Sequence, residues 1–349
     1  MNGLSRDPSA LGAAFFTSLL SARFPGAEVA SATLVELVEG TNKRARFDLS
    51  YSKGQGPPSV FVKAPGRLLN RLALSALGAL DTEAKLAVGQ ARLPLEHAEL
   101  LGGVVGRRCS GSIVLLEDLT TRRASPNVAR TALSPAEVES GLSNLARLHG
   151  AYFSRPLPVE LSFVSYWRLG RSWAAVSGPS LLRARQRLGR LGGRALPRAA
   201  SVTLLERQFR RSALLAEAGP ATVLHGDPHP GNSYRLASGQ TGFYDWQLIR
   251  RGHFSHDVSY FLAGSLSVED RRQHEKRLLG SYLESLAESG GRPPSFGQMW
   301  ERYRAGPAFG LCTWLHTLSA GSFQETSDCL AMIERFASAY EDLGTESAI

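Results

Sequence analysis

Apolar and polar positions alternate over Thr33–Val38 and again over Lys43–Tyr51, with Glu39-Gly40-Thr41-Asn42 between them. That period of two predicts paired antiparallel strands and a tight connection. Ser52–Pro58 (SKGQGPP) reads as a flexible turn, and Ser59–Lys63 (SVFVK) as a β-branched strand ending in a cation. Arg67–Leu80 has helical apolar spacing. Asp81-Thr82-Glu83 then reads as the cap and first turn of a second helix reaching about Leu93. Glu99–Val105 and Ser112–Leu116 complete a small antiparallel sheet of five strands, and Glu117-Asp118-Leu119 leaves it. Near the start, Leu11–Ala22 is apolar. Asp7-Pro8-Ser9 before it looks like a helix start, so an amphipathic helix is expected there and not a signal peptide.

Beyond Leu119 the period changes to that of helices. Ser134 with Pro135 and Glu137 opens a helix expected to run to about Phe153. Thr222–Leu224 is a short apolar strand that His225-Gly226-Asp227-Pro228 must turn, because Gly and Pro cannot continue it. Ser233–Leu236 and Thr241–Tyr244 form a hairpin about Gly239. From Val268 onward the pattern is helical, broken chiefly at Gly290–Pro294. The fold class is therefore α+β, with strands early and helices late.

Composition changes this picture little. The 349 residues can bury a large core, 43% hydrophobic and 20% charged residues are ordinary for a globular chain, and no apolar run approaches a membrane span. Cys109, Cys312 and Cys329 are scattered and without CxxC spacing, which fits free thiols in a reducing cytoplasm. The net charge of +9 suits anionic ligands, whether nucleotides or nucleic acid. Arg183, Arg185, Arg187, Arg190, Arg194 and Arg198 could grip such a partner. They lack interleaved aromatics for base stacking, so a solvated helix face is the simpler account.

Candidate chemistry is densest from Val223 to Gln247. The hairpin would return Asp245 beside the loop that holds Asp227 and Asn232, so that two carboxylates and an amide converge. Asn and Asp are hard oxygen ligands suited to Mg²⁺, and a remaining acid can take a proton. This division of labour matches phosphoryl transfer, with Asp227 receiving a hydroxyl proton and Asn232 and Asp245 holding metal. The plainer alternative is a polar surface loop with Asp245 as a helix cap. No GxSxG elbow and no GxxxxGK[ST] loop occurs. The glycines at 102, 103 and 106 lack Rossmann spacing, and His225, His229, His253 and His256 match no zinc module.

HGDPHPGN followed by YDWQ resembles the aminoglycoside phosphotransferase and choline kinase group of the protein-kinase-like fold. The glutamine of DWQ and the downstream HDVSYFLAGSL are similar to the ecdysteroid-kinase-like branch and its bacterial relatives. The likeness runs from about Gly40 to the region of Trp314. It implies two lobes, a nucleotide-binding N-lobe over residues 1–118 and a C-lobe over 119–349 with catalytic loop, metal site and substrate pocket. It further implies that Lys63 contacts nucleotide phosphates with Glu83 as its acidic partner, Glu96 being the alternative. Gly40, Thr41 and Asn42 would cover the phosphates, unless they form a plain hairpin turn. Glu117, Asp118 and Leu119 would hold the base through main-chain groups. Asp257 would brace the catalytic loop, although His256 stands where an arginine often precedes this Asp. His149 would be a buried helix residue.

The expected reaction is ATP-dependent, with GTP an alternative nucleotide, Mg²⁺ as cofactor and a small hydroxylated metabolite or antibiotic as acceptor. The aromatic-rich helices after Val268, with Phe296, Trp300, Tyr303, Phe309 and Trp314, favour an apolar acceptor such as a steroid or macrolide-like compound. A monomer or homodimer is expected, with no nucleic acid partner. The rivals are a pseudokinase that binds without turnover and a basic nucleic-acid-binding module.

Overall fold

The computed structural model describes residues 7–38, 42–106, 111–166, 171–192, 196, 201–321 and 323–349. Gly40 and Thr41 of the first connection, and Cys109, lie outside the described residues. Asp7 does start a helical segment: its carboxylate accepts from Ser9 N at 3.1 Å over a single 3-10 turn. α1 (Ala13–Leu20) follows and buries Phe16 and Leu20.

β1 (Glu28–Val38), β2 (Lys43–Lys53), β3 (Ser59–Ala64), β4 (Leu100–Val104) and β5 (Ile113–Glu117) form one antiparallel sheet in the order β1-β2-β3-β5-β4. β1 begins five residues before the alternating pattern does. Register shifts at Glu28/Val29, Val29/Ser31 and Leu34/Glu36 break its period, because each irregularity moves side chains to the other face. Alternation along β5 divides the core. Ile113 and Leu115 pack with Phe16, Phe47 and Val62 on the face that α1 covers. Val114 faces the other way and joins Leu100, Leu86 and the large cluster shared with the later helices.

α2 (Leu68–Ala76) and α3 (Thr82–Val88) lie between β3 and β4. α3 stops at Val88, not Leu93: after Gly89 the chain takes a positive φ of 51° at Gln90. Asp81 makes no side-chain cap; its carboxylate pairs with Lys85 at 3.1 Å instead. The segment after α3 docks against the later part of the chain. Glu96 O accepts from Phe243 N and Ala98 N donates to Phe243 O, both at 3.1 Å. Asn144 Oδ1 accepts from Glu96 N at 2.8 Å, and its Nδ2 donates to Glu96 O at 2.9 Å.

The remainder is mainly helical, with short strands β6 (Ser125–Pro126), β7 (Thr222–Leu224), β8 (Ser233–Arg235), β9 (Thr241–Phe243) and β10 (Arg250–Gly252). α4 (Pro135–Ala151) opens with the anticipated capping box, Ser134 and Glu137 satisfying each other's backbone N–H. α5 (Arg171–Arg190) and α6 (Val202–Glu217) precede the site. α7 (Ser255–Ser265), buried along its whole length, follows it. α8 (Val268–Glu288), α9 (Phe296–Ala305), α10 (Pro307–Ala320) and α11 (Thr326–Asp342) follow, a single turn α12 (Thr345–Ala348) ends the chain, and the break at 290–294 falls between α8 and α9. Cys312 and Cys329 are buried free thiols. Among the described residues, no helix is long and apolar enough to cross a membrane.

Candidate active site

The loop from His225 to Asn232 joins β7 to β8, and its entry is set by a buried carboxylate. Asp257, in the first turn of α7, accepts from His225 N at 2.7 Å and Gly226 N at 3.0 Å. It also accepts from His149 Nε2 at 3.2 Å, and the hydroxyl of Tyr282 lies 2.8 Å from His149 Nδ1. Burial acts to raise the Asp257 carboxyl, but the His149 hydrogen bond and the surrounding imidazoles outweigh it and hold it below its ordinary range.

Gly226 turns at φ +86°, and a Cβ there would stand 2.0 Å from Leu248 O. Backbone strain and a collision with main chain therefore act together. Gly226→Ala should cost on the order of 3 kcal/mol or more and be visible as a large fall in melting temperature. His225 accepts from Asp227 N at Nδ1, 3.3 Å away, and donates from Nε2 to Tyr244 O at 3.1 Å. Burial pushes it below its usual value, so this histidine is a neutral brace between loop and hairpin.

The hairpin of β8 and β9 returns Asp245 to the loop, as Tyr244 N donates to Asn232 O at 3.0 Å. Asp245 adopts φ 67° and ψ 69°, a left-handed conformation that Asp and Asn tolerate better than most residues. Asn232 Nδ2 donates to Asp227 O at 2.9 Å and to Asp227 Oδ2 at 3.2 Å. Lys63, in β3, donates from Nζ to Asp245 Oδ1 at 2.7 Å and to Glu83 Oε2 at 2.8 Å, and Glu83 Oε1 accepts from Trp246 N at 3.1 Å. Asp227, Asn232, Asp245, Lys63 and Glu83 thus form one constellation. Glu96 stands elsewhere: its carboxylate accepts from the Tyr234 hydroxyl at 2.6 Å and pairs with Arg122 at 2.7 Å. Between Lys63 and the alternatives, α3 supplies the partner.

The electrostatics separate the three acids. Burial acts to raise Asp245, but Lys63 outweighs it and the carboxyl is held low. Burial and the neighbouring Asp245 push Asp227 well above the usual carboxylate range, against the pull of Tyr260 and Asn232. Glu83 is raised by burial, although Lys63 opposes this. For Lys63 burial acts to lower the ammonium, and the two carboxylates outweigh it. The Lys63 head is thus buried inside an ion pair; the solvent-exposed head expected of a strand-end lysine is absent. His229 falls to about 3 through burial and is neutral, its ring 5.2 Å from that of Trp314.

Asn42 is buried and, with Lys63, Glu83, Gly111 and Gln247, lines a small pocket. Glu117 N is used inside the sheet, donating to Glu99 O at 2.8 Å. The side chain of Asp118 turns inward, accepting from Ser59 Oγ at 2.7 Å and from Thr120 N at 3.0 Å, while Leu119 packs against Ala98, Ala124 and Tyr234. Tyr260, which reaches Asp227, escaped the sequence reading. Its signal was present: it stands three residues after Asp257 on one helix, so it faces the same side.

The aromatic set after Val268 does not act as one wall. Phe296 stacks on Trp300 along α9, Trp300 meets Tyr303 at a tilt, and Tyr303 donates to Glu275 at 2.8 Å. Of the five, Phe309 and Trp314 on α10 approach the loop, Phe309 through His256 at 4.7 Å between rings and Trp314 through His229.

In the solved structure of choline kinase from Cryptosporidium parvum, 91% of this chain and 91% of that chain superpose with a TM-score of 0.54 at 11% identity. Spectinomycin phosphotransferase, solved with ADP and spectinomycin, matches 98% of this chain and 100% of its own with a TM-score of 0.51, also at 11% identity. These likenesses establish the protein-kinase-like two-lobed fold. In sequence, 105 residues are 32% identical to a kinase-like protein of Caenorhabditis elegans, which is 29% of this chain and 27% of that protein's length. The model of the phosphotransferase enzyme family matches residues 106–305, more than half of the chain and the part that carries Asp227, Asn232 and Asp245. The chain belongs to that phosphotransferase family, within the aminoglycoside phosphotransferase and choline-kinase-like superfamily.

Proposed function

We propose that this protein is an ATP-dependent small-molecule kinase that transfers the γ-phosphoryl group to a hydroxyl of its acceptor, with GTP the alternative donor. The observation that carries this reading is Lys63, held at 2.8 Å by Glu83 and at 2.7 Å by Asp245 while Asn232 ties the same site to Asp227. A cation so placed meets phosphate oxygens once a nucleotide enters. The strand ladder pairs Lys63 with Val114 and Val60 with Glu117, which sets Glu117–Leu119 about 10 Å along the sheet from the lysine. That span suits a nucleotide between its base and its outer phosphates, with residues 1–118 as the nucleotide-binding lobe, 119–349 as the catalytic lobe, and Gly40, Thr41 and Asn42 over the phosphates.

The donor set fits Mg²⁺. Asp245 offers a carboxylate of lowered pKa, and Asn232 uses its amide N–H groups on Asp227, which leaves its oxygen for a hard cation. Asn232 and Asp245 would hold the ion, which supplies charge neutralisation on the transferring phosphoryl group. Asp227 orients the acceptor hydroxyl and receives its proton; its raised affinity for protons suits that role. Around it stand Tyr260, His229 and Trp314, aromatic and uncharged, which favours a neutral hydroxylated acceptor of the steroid or macrolide kind over a polycation.

Asp227→Asn decides the assignment. Turnover should be lost while Mg-nucleotide affinity, followed by calorimetry, stays within a few-fold of wild type. Loss of nucleotide affinity with turnover intact would reverse the roles. The same variant should be more stable than wild type near neutral pH. Because the folded pKa of Asp227 is raised, wild type loses stability as pH rises through it, and the amide escapes that loss.

A further inference from the structure

The positive charge of this protein is concentrated in one stretch of its sequence. Residues 171–217 hold ten arginines, no lysine and two glutamates, an excess of eight out of the chain's nine net positive charges. α5 buries Leu181, Ala184 and Leu188, α6 buries Leu205, Phe209 and Ala216, and both helices pack on α10. Their opposite faces therefore look away from the body of the protein. On α5 that outer face carries Leu182, Arg183 and Arg190. On α6 it carries Arg207, Arg210, Arg211 and Leu214, spaced as one stripe of the helix and all exposed. Arg210 pairs with Glu206 at 2.8 Å, whereas Arg183, Arg190 and Arg207 have no carboxylate partner among the described residues. Leu182, Leu191 and Leu214 are 50%, 44% and 56% exposed, so apolar side chains rise among the guanidinium groups.

We propose that the outer face of α5 and α6 docks on an anionic lipid bilayer. Arginines supply attraction to negatively charged headgroups, and protruding leucines can bury among the acyl chains beneath those headgroups. A phosphate backbone alone gives the leucines nothing to bury against, and from residue 177 to 217 the described part of this face exposes no aromatic ring on which a base could stack. A second copy of the chain would bring the same positive charge and be repelled.

Co-sedimentation of the full chain with vesicles of phosphatidylcholine, with and without about a third phosphatidylglycerol, tests the assignment. Binding should require the anionic lipid and weaken at least about tenfold between about 0.1 M and 0.5 M salt. The triple variant Arg183→Glu, Arg190→Glu, Arg207→Glu should lose at least about tenfold in vesicle affinity. Leu182→Ser with Leu214→Ser should lose several-fold on vesicles and leave binding to a labelled DNA duplex unchanged. Thermal melts establish that each variant is folded; should one not be, the lipid-charge and salt dependence of wild type decide alone. Failure to bind anionic vesicles at low salt overturns the proposal. So does duplex binding tighter than vesicle binding together with leucine variants indistinguishable from wild type, which would make the face a nucleic-acid surface.

Discussion

Lys63→Met should weaken the protein twice, in phosphate affinity and in the fold. The ammonium is buried between Glu83 and Asp245, and Glu83 is almost wholly enclosed. Removing one member of a buried pair leaves the other charge uncompensated, which costs on the order of 3–5 kcal/mol. The loss should depend on pH. Burial already raises the Glu83 carboxyl, and without Lys63 it rises further. Glu83 in the variant can be buried cheaply only when protonated, so destabilisation should be small on the acid side of its folded pKa and grow as pH rises through it. Urea titrations of wild type and variant at acid and neutral pH read this directly. The double variant Lys63→Met, Glu83→Gln should recover much of the stability without recovering ATP affinity. Lost contact with phosphate should cost a further 1.5–3 kcal/mol or so in ATP binding, with adenosine hardly affected. Equal losses for ATP and adenosine would mean that Lys63 shapes the lobe only, and attention would move to Lys43 or Arg44.

Asp257→Ala should be the most damaging single change outside the acids of the site itself. The carboxylate satisfies two backbone N–H groups at the start of the loop from His225 to Asn232 and the ring of His149, all buried. Unsatisfied buried donors cost about 1–3 kcal/mol each, so a total on the order of 4 kcal/mol is expected, a large share of a domain's stability. Asp257→Asn should do little better despite its shape, because one of its two acceptors becomes an NH₂ facing donors. The folded pKa of Asp257 is lowered, so its stabilisation is present above the unfolded value and lost as pH falls through the folded one. The gap between wild type and Asp257→Asn should therefore narrow in acid. Hydrogen exchange at His225 and Gly226 should report opening of the loop before the remainder unfolds. An asparagine variant as stable and as protected as wild type would show that the loop is held by other contacts.

What could be read from the sequence was local. The hairpin of β8 and β9, the capping box of Ser134 and Glu137 and the break before α9 follow from side-chain periods and turn chemistry within a few residues. The HGD loop with its Asn and the Asp beyond the hairpin lie within one stretch of the chain, so their meeting needed only a turn at Gly239. The bulged start of β1 and the early end of α3 were not legible. Register irregularities erase a period of two, and α3 ends where Gln90, after Gly89, takes a positive φ that no apolar period announces.

By itself, then, the sequence determined the α+β class, the five strands, the order of sheet and helices, and the three oxygen-bearing residues of the loop and hairpin. Only the tertiary structure decided that Glu83 and not Glu96 meets Lys63, that Asp245 sits in a left-handed conformation with its carboxylate toward that lysine, and that Tyr260 reaches Asp227. It also left Arg183 and Arg190 of α5 and Arg207, Arg210 and Arg211 of α6 exposed, while Arg187 turns back to Leu318 O. The reason is physical: a hydrophobic period tells which side of an element is buried, whereas partner choice between distant elements depends on how whole faces pack, and no local pattern encodes that.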